Sequence, residues 1–169
     1  DDVATLGYTP LMAASFHDAQ PDAIEICTWV LDAGADPLDL DATGRTCLHW
    51  ACHAGHTDLI RMLIGREKSL LHTKDRGGST PLHTAAREGR GDTCRIIIEM
   101  GGDASVRDTL YRTPVDVAGL SDADEEVGKR GKLQPNIRKR RKAREAILGA
   151  QASARVLVVY HDECLGHVT

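Results

Sequence analysis

The feature that most constrains this chain of 169 residues is an internal repeat. Four segments of eight residues, 7–14, 44–51, 78–85 and 111–118, align on a shared threonine. Those threonines stand at positions 9, 46, 80 and 113, so the spacings are 37, 34 and 33 residues. A period of this size is the signature of a solenoid, in which each repeat buries its apolar face against its neighbours. The sequence therefore predicts a stack of about four similar units.

Each unit carries the signals of two helices. A threonine is a good N-cap, and a proline at the first helical position loses no hydrogen bond, as in Thr80-Pro81. Gly55 and Gly89 follow the first helices, where a left-handed residue commonly ends a helix. Aliphatic residues then recur at helical spacing over 24–31, 59–64 and 94–100, which predicts the second helices.

The motif Thr-Pro-Leu-His-x-Ala at residues 80–85 resembles the ankyrin repeat. The resemblance covers residues 1–149 and implies an all-α repeat solenoid of about four ankyrin repeats, each with two helices and a hairpin finger. The chain departs from the pattern in three places: a longer loop near residues 17–21, Asp116 in place of the repeat histidine, and an insertion at 121–134 before a last, capping helix that starts near Asn136.

Composition narrows the class of protein further. Aromatic residues make up only 4% of the chain, so the core is built from small and aliphatic side chains, as close-packed helices require. Five cysteines form no Cys-x-x-Cys pair, which favours a reducing, intracellular compartment, namely the nucleus, the cytoplasm or both. No apolar stretch approaches the roughly 18 residues needed to span a bilayer, so no membrane partner is expected. We treat the chain as a piece of a longer protein.

One cluster of residues could in principle hold a metal ion. His49, Cys52, His53 and His56 lie close together in sequence, and His49 and His53 share a helical face. However, His49 and His83 occupy the same repeat position, where the resemblance implies a ring that hydrogen-bonds the motif threonine. No phosphate loop or catalytic triad pattern is present. We therefore predict no metal, no cofactor and no catalytic residue in this segment.

The C-terminal residues differ in character. We predict a linker at 150–154 and a strand-like tail at 155–169 that begins a following domain. Its sequence Tyr160-His161, then Leu165-Gly166-His167, resembles the opening of the catalytic domain of zinc-dependent histone deacetylases. The resemblance implies a larger, nuclear enzyme whose zinc would lie in the absent catalytic domain. An unrelated neighbouring domain is the alternative.

A dense basic run precedes that linker. Its core consists of Arg138, Lys139, Arg140, Arg141 and Lys142. Such a run is typical of a nuclear-import signal, and a solvated helix face is the alternative. The overall net charge of -4 does not favour sequence-specific binding of nucleic acid.

The fold class predicts a protein-binding function, because repeat stacks present finger tips and inner helices as one concave face. The predicted partner-binding residues are Tyr8, Phe16, Arg45, Trp50, His53, Arg76, Arg87 and Arg112. The aromatic members would supply binding energy and the arginines would suit an acidic or histone-derived segment. The string at 46–51 also resembles a repeat in the ankyrin domains of certain histone lysine methyltransferases, which implies caging of a methylated lysine as an extension. The alternatives are an ankyrin adaptor unrelated to deacetylases and an intramolecular clamp on the protein's own enzyme domain. The fragment is expected to be a monomer.

Overall fold

The computed structural model describes residues 7–16, 22–118 and 139–153, and these residues form a stack of helix pairs joined by hairpin fingers. The helices are α1 (Pro10–Phe16), α2 (Asp22–Asp32), α3 (Cys47–Ala54), α4 (Thr57–Arg66), α5 (Pro81–Arg87), α6 (Gly91–Glu99), α7 (Pro114–Ala118) and α8 (139–153), with a 3₁₀ helix at Lys68–His72 between α4 and α5. No strand is assigned in these ranges. The predicted all-α repeat solenoid is confirmed.

The first helix of every repeat starts where the sequence predicts. The helices α1, α5 and α7 each begin at a proline that follows the motif threonine, and α3 begins directly after Thr46. The second helices α2, α4 and α6 each extend beyond the predicted apolar runs by one to three residues at their N-termini. Gly55 and Gly89 adopt φ of 87° and 69°, which confirms that left-handed glycines close the first helices.

The core runs through the stack as a column of equivalent residues. Leu11, Leu48 and Leu82 hold the same repeat position and are all essentially inaccessible to solvent. The inner helices α1, α3, α5 and α7 pack more closely on one another than the outer helices α2, α4 and α6 do. Small residues such as Ala51 and Ala85, both fully buried, permit that approach. Closer packing on one side curves the stack, so that the inner helices line its concave face.

Aspartates close the fingers between repeats. The Oδ1 atom of Asp75 accepts the backbone N–H groups of Gly77 and Ser79 at 2.9 and 2.8 Å, which replaces backbone pairing in the tight turn. Asp41 and Asp108 accept the corresponding N–H groups two and four residues further along the chain. The side chain of one residue type therefore fixes the same turn three times.

Neighbouring fingers touch through their backbones. The Arg76 N–H donates to the Thr43 carbonyl at 3.0 Å, and the Thr109 N–H donates to the Gly77 carbonyl at 3.0 Å. A Cβ atom on Gly78 would lie 3.0 Å from the Thr109 nitrogen, so a side chain there would press on the next finger. Gly44 stands in the same relation to the Arg76 nitrogen.

The last described finger has a tyrosine at the position where the two preceding fingers have a glycine. Tyr111 has φ of 58°, the left-handed conformation that Gly44 and Gly78 adopt at the equivalent positions. A side chain with a Cβ atom pays about 1–2 kcal/mol for this conformation. Tyr111 is 78% exposed, so packing does not offset that cost.

We predict that Tyr111→Gly raises the free energy of unfolding by about 0.5–1 kcal/mol. Glycine relieves the strain of the left-handed conformation, which stabilises the folded protein. Against this, the more flexible glycine gives the unfolded chain more conformational entropy, which costs roughly 0.5–1 kcal/mol. Urea unfolding followed by circular dichroism measures it. Gly78→Ala is the matched reverse change and should destabilise the stack. A Tyr111→Gly protein that is less stable than the parent contradicts the prediction.

The C-terminal helix includes part of the predicted linker. Residues 150–153 continue helix α8, and the domain boundary at 149 stays a prediction. The physical reason is their composition, since alanine and glutamine are strong helix formers. The long first loop, the insertion at 121–134, the helix start near Asn136 and the deacetylase-like tail at 155–169 lie outside the described residues.

Candidate protein-binding surface

Two buried histidines tie the inner helices α3 and α5 to the fingers that follow them. The Nδ1 atom of His49 accepts the Thr46 backbone N–H at 3.2 Å and lies 3.0 Å from the Thr46 hydroxyl oxygen. Its Nε2 atom lies 3.1 Å from the Ser79 carbonyl oxygen in the next repeat. His83 makes the same contacts with Thr80 and with the Arg112 carbonyl. A neutral ring that donates from Nε2 and accepts at Nδ1 satisfies all of these contacts.

Burial holds His49 in that neutral form. It lowers the pKa of the ring from its ordinary 6.5 to about 4, although the hydrogen bond to Ser79 opposes the change. Burial also lowers the pKa of His83. Because both ring nitrogens of His49 are engaged, neither is open to a metal ion, and the described residues contain no group of three or more His, Cys, Asp or Glu side chains placed to hold one.

Asp116 takes over the capping role of the histidine in the fourth repeat. Its Oδ2 atom accepts the Thr113 backbone N–H at 2.8 Å and the Thr113 hydroxyl at 2.7 Å. Asp116 therefore closes its own helix in the way His49 and His83 do.

The structure brings four of the predicted binding residues into one aromatic cluster, defined here as Tyr8, Phe16, Trp50 and His53. The Trp50 ring centroid lies 4.9 Å from that of Tyr8 and 5.2 Å from that of Phe16, both in edge-on arrangements. The ring of His53 lies 5.4 Å from that of Phe16. Because these residues come from α1, α3 and the segment that precedes α1, the cluster joins the first two repeats.

The prediction that Trp50 is exposed is wrong. Trp50 is only 8% exposed, and its indole N–H donates to the Oδ2 atom of Asp41 at 3.1 Å. Burial raises the pKa of Asp41, but hydrogen bonds from the Thr43 hydroxyl, the Arg45 and Thr43 N–H groups and the Trp50 indole outweigh it and hold the pKa below its ordinary value. Trp50 therefore anchors the first finger, while Phe16, at 47% exposed, forms the accessible edge of the aromatic cluster.

The predicted row of arginines is largely engaged with the protein itself. Arg45 lies over the Trp50 ring at 5.2 Å, and its Nε atom is 3.9 Å from Asp75. Arg112 makes two hydrogen bonds to the Oδ2 atom of Asp108, at 3.0 and 2.8 Å. These pairings reduce the charge that the row offers to a partner. Their geometry follows from the finger aspartates, whose Oδ1 atoms close the turns and whose Oδ2 atoms remain available.

Arg76 and Arg87 are the remaining members of the row. Arg87 donates to the Ser79 hydroxyl at 3.2 Å. In the ranges that the structure describes, neither of these two arginines takes part in an ion pair. They are therefore the cations of the row most open to a partner's carboxylates.

One exposed apolar group was missed from the sequence. Leu110 and Tyr111 at the tip of the last described finger are 66% and 78% exposed. The equivalent positions of the preceding fingers are Thr43-Gly44 and Gly77-Gly78, so the repeat alignment itself contained the signal. Exposed apolar side chains on a strained turn point to contact with another molecule.

Comparison with known proteins agrees with the architecture. The family model for ankyrin repeats, in three copies, matches residues 11–108. The chain belongs to the ankyrin-repeat family. Ankyrin repeats form a protein-interaction module that is not catalytic in itself, which confirms the coarse prediction of function. The helix α7 and the residues of α8 extend the stack beyond the matched range.

The relatives with ankyrin repeats are diverse. The chain is 33% identical over 85 residues to a transient receptor potential cation channel subfamily A member 1 homolog of Caenorhabditis elegans, covering 50% of this chain and 7% of the relative. It is 28% identical over 113 residues to the target of rapamycin complex 2 subunit AVO2 of Saccharomyces cerevisiae, covering 66% and 26%. It is 32% identical over 117 residues to the neurogenic locus notch homolog protein 1 of Xenopus laevis, covering 69% and 4%.

These matches identify the ankyrin-repeat domain and leave the surrounding protein open. The chain spans no more than about a quarter of the length of these relatives. None of the three is named as a deacetylase. No helix within 7–16, 22–118 or 139–153 has the length and apolar character needed to cross a membrane.

The basic run is only partly exposed. Lys139, Arg141 and Lys142 lie on the open surface of α8, whereas Arg140 is half-buried and donates to the Val117 carbonyl at 2.9 Å. Arg138 lies outside the described residues. The role of this run in nuclear import stays a prediction, and Arg140 has a structural role in addition.

Proposed function

We propose that the inner face of this ankyrin stack binds a segment of another protein, with Phe16 and His53 as the anchoring contact. The observation that supports this proposal is the aromatic cluster, in which an exposed Phe16 edge rests on the buried Trp50 ring. Trp50 is held in turn by Asp41. An aromatic group fixed before binding loses little conformational entropy in a complex, which is typical of a binding hot spot.

The partner segment contributes an apolar or aromatic side chain to this anchor. His53 stands 3.7 Å from Glu88, so a polar rim borders the aromatic edge. Arg76 and Arg87 lie further along the same succession of fingers and inner helices and favour acidic residues that flank the anchor. Leu110 and Tyr111 give the far end of the surface a second apolar contact.

Photo-crosslinking tests the proposal. The full-length protein is produced in cells with benzoylphenylalanine at Phe16 or, as a matched control, at Trp29, an exposed aromatic residue on the outer helix α2. We expect a protein that crosslinks at position 16 and not at position 29. For that protein, Phe16→Ala should weaken binding by about thirtyfold, which corresponds to a hot spot of about 2 kcal/mol.

Two results would contradict the proposal. One is equal capture of the same proteins at positions 16 and 29. The other is unchanged affinity of the Phe16→Ala protein for the captured partner. Urea unfolding of Phe16→Ala confirms that any lost affinity does not come from lost structure.

The larger enzyme is a further part of the proposal. We infer a nuclear deacetylase attached to the stack only from the Tyr160-His161 motif and the basic run, and both the enzyme class and the compartment stay predictions. An adaptor of another kind and an intramolecular clamp remain the alternatives. In the clamp, the protein captured at position 16 would be the protein itself.

A further inference from the structure

A groove runs between helix α6 and the C-terminal helix α8. Two cavities of about 620 and 520 Å³ lie along it, and they adjoin because both are lined by Arg95, Glu145 and Ala146. Together they form what we call the α6–α8 groove. Cavities of this size are large enough for several side chains of a bound segment.

The groove exists because small residues line the two helices. The helices run side by side in the same direction, with Gly91 near Lys142 at one end and Ile98 near Gly149 at the other. Backbone contact fixes the first end, since a Cβ atom on Gly89 would lie 2.6 Å from the Lys139 carbonyl carbon.

Helix α8 is anchored beside the groove. The side chains of Ala143 and Ile147 are completely buried against the stack. The adjacent groove residues Ala146, Gly149 and Ala150 are too small to fill the space above α6. The small side chains of α8 therefore leave an opening beside α6.

One end of the groove is basic. Its cationic lining residues are Arg90, Arg95, Lys139 and Lys142. The Arg95 guanidinium lies 3.8 Å from Asp92, and Glu145 pairs with Arg141 outside the groove. Within the described residues no ion pair involves Arg90, Lys139 or Lys142, so positive charge is left over at this end.

The other end has a larger apolar share. Ile98, Ala146, Gly149 and Ala150 line it together with Ser153, Arg95 and two glutamates. Both glutamates face an arginine outside this end, since Glu99 lies 3.8 Å from Arg61 of α4 and Glu145 lies 3.3 Å from Arg141. The groove thus changes from basic to partly apolar over its length. A ligand that matches it carries negative charge at one end and an apolar group at the other.

We propose that the α6–α8 groove binds a linear segment of a partner protein in which acidic residues and an apolar residue are adjacent. Charge complementarity at Lys139 and Lys142 selects the acidic part, and the space beside Ala146 and Ala150 accepts the apolar side chain. A small polyphosphate would leave the apolar half empty. The groove and the aromatic cluster are lined by different side chains, although the Arg90 Nε–H donates to the His53 carbonyl at 3.2 Å. The proposal does not depend on the function proposed for the aromatic cluster.

Peptide selection tests this site without knowledge of the partner. A random 12-residue phage library is selected on the whole chain and counter-selected on the Lys139→Gln/Lys142→Gln double variant. Glutamine keeps helix propensity and removes both charges. We expect the selected peptides to be enriched in Asp and Glu next to Leu, Ile, Val or Phe.

Synthetic copies of these peptides then give affinities. The double variant should bind them at least tenfold more weakly, and binding to the parent should weaken as salt rises from 50 to 300 mM. The matched control Lys68→Gln/Lys74→Gln changes two exposed lysines elsewhere and should leave affinity unchanged. Ala150→Glu, which places bulk and negative charge at the apolar end, should abolish binding while α8 stays folded.

Several outcomes overturn the proposal. These are selected peptides without acidic enrichment, equal affinity of the parent and the Lys139→Gln/Lys142→Gln variant, and unimpaired binding by Ala150→Glu. Saturable binding of tripolyphosphate with no peptide enrichment would instead make the groove a polyphosphate site. Phe16→Ala must leave peptide affinity unchanged, because a loss there would place the peptides on the inner face.

Discussion

Replacing Trp50 by alanine lowers the free energy of unfolding by about 4 kcal/mol. The change removes a ring that is 8% exposed and that contacts Tyr8, Phe16 and Arg45, and it leaves a cavity between the first two repeats. It also leaves the Oδ2 atom of the buried Asp41 without the indole donor. Urea unfolding followed by circular dichroism measures the loss. Circular dichroism is preferred to tryptophan fluorescence because the substitution removes one of the two tryptophans.

The chain supplies its own control. Trp29 is 69% exposed on helix α2, so Trp29→Ala should change the free energy of unfolding by no more than about 0.5 kcal/mol. Trp50→Phe keeps most of the ring and loses the hydrogen bond to Asp41, which should cost about 2 kcal/mol. If Trp50→Ala unfolds at the urea concentration of the parent, Trp50 does not join the repeats as described.

Acidification between pH 6.5 and about pH 4 lowers the stability of the stack by about 3 kcal/mol through His49. Its pKa is about 4 in the folded protein and 6.5 when unperturbed, so the unfolded chain takes up the proton first as the pH falls. Each pH unit between these values costs about 1.4 kcal/mol. The stability is present above pH 6.5 and is lost progressively toward pH 4. The lowered pKa of His83 acts in the same direction.

Comparison of two unfolding series isolates this effect. The parent and His49→Gln are unfolded in urea at intervals from pH 7.5 to pH 4, and the difference between the two curves removes titrations that they share. We expect His49→Gln to be less stable at pH 7.5 and to depend less on pH below 6.5. Parallel curves for the two proteins would show that His49 is not the titrating group.

The two predictions have a common origin in the links between repeats. His49 reaches the Ser79 carbonyl of the next finger, and Trp50 reaches Asp41 of the finger that precedes it. Adjacent residues on α3 thus hold fingers on both sides. In a solenoid, where stability comes from nearest-neighbour interfaces, loss of either link uncouples repeats instead of weakening the whole evenly.

The sequence by itself determined the repeat architecture. Thr-Pro pairs mark helix starts and Gly55 and Gly89 mark helix ends through local backbone preferences, and these operate before any tertiary contact forms. The role of His49 could also be predicted, since its Nδ1 partner lies only three residues away at Thr46. Features that depend on residues a few positions apart can be predicted from the sequence of a single repeat.

Only the tertiary structure decided which side chains remain accessible. Trp50 and Phe16 both looked exposed from their repeat positions, but Trp50 is covered by Tyr8 and Phe16 of the preceding repeat and by Arg45. Arg45 forms an ion pair with Asp75 of the following finger, so its charge is less available to a partner. The α6–α8 groove depends on helices about 50 residues apart in the chain. The repeat position of a residue determines its place on a helix or finger. The residues that contact its side chain from neighbouring repeats determine whether solvent or another protein can reach it.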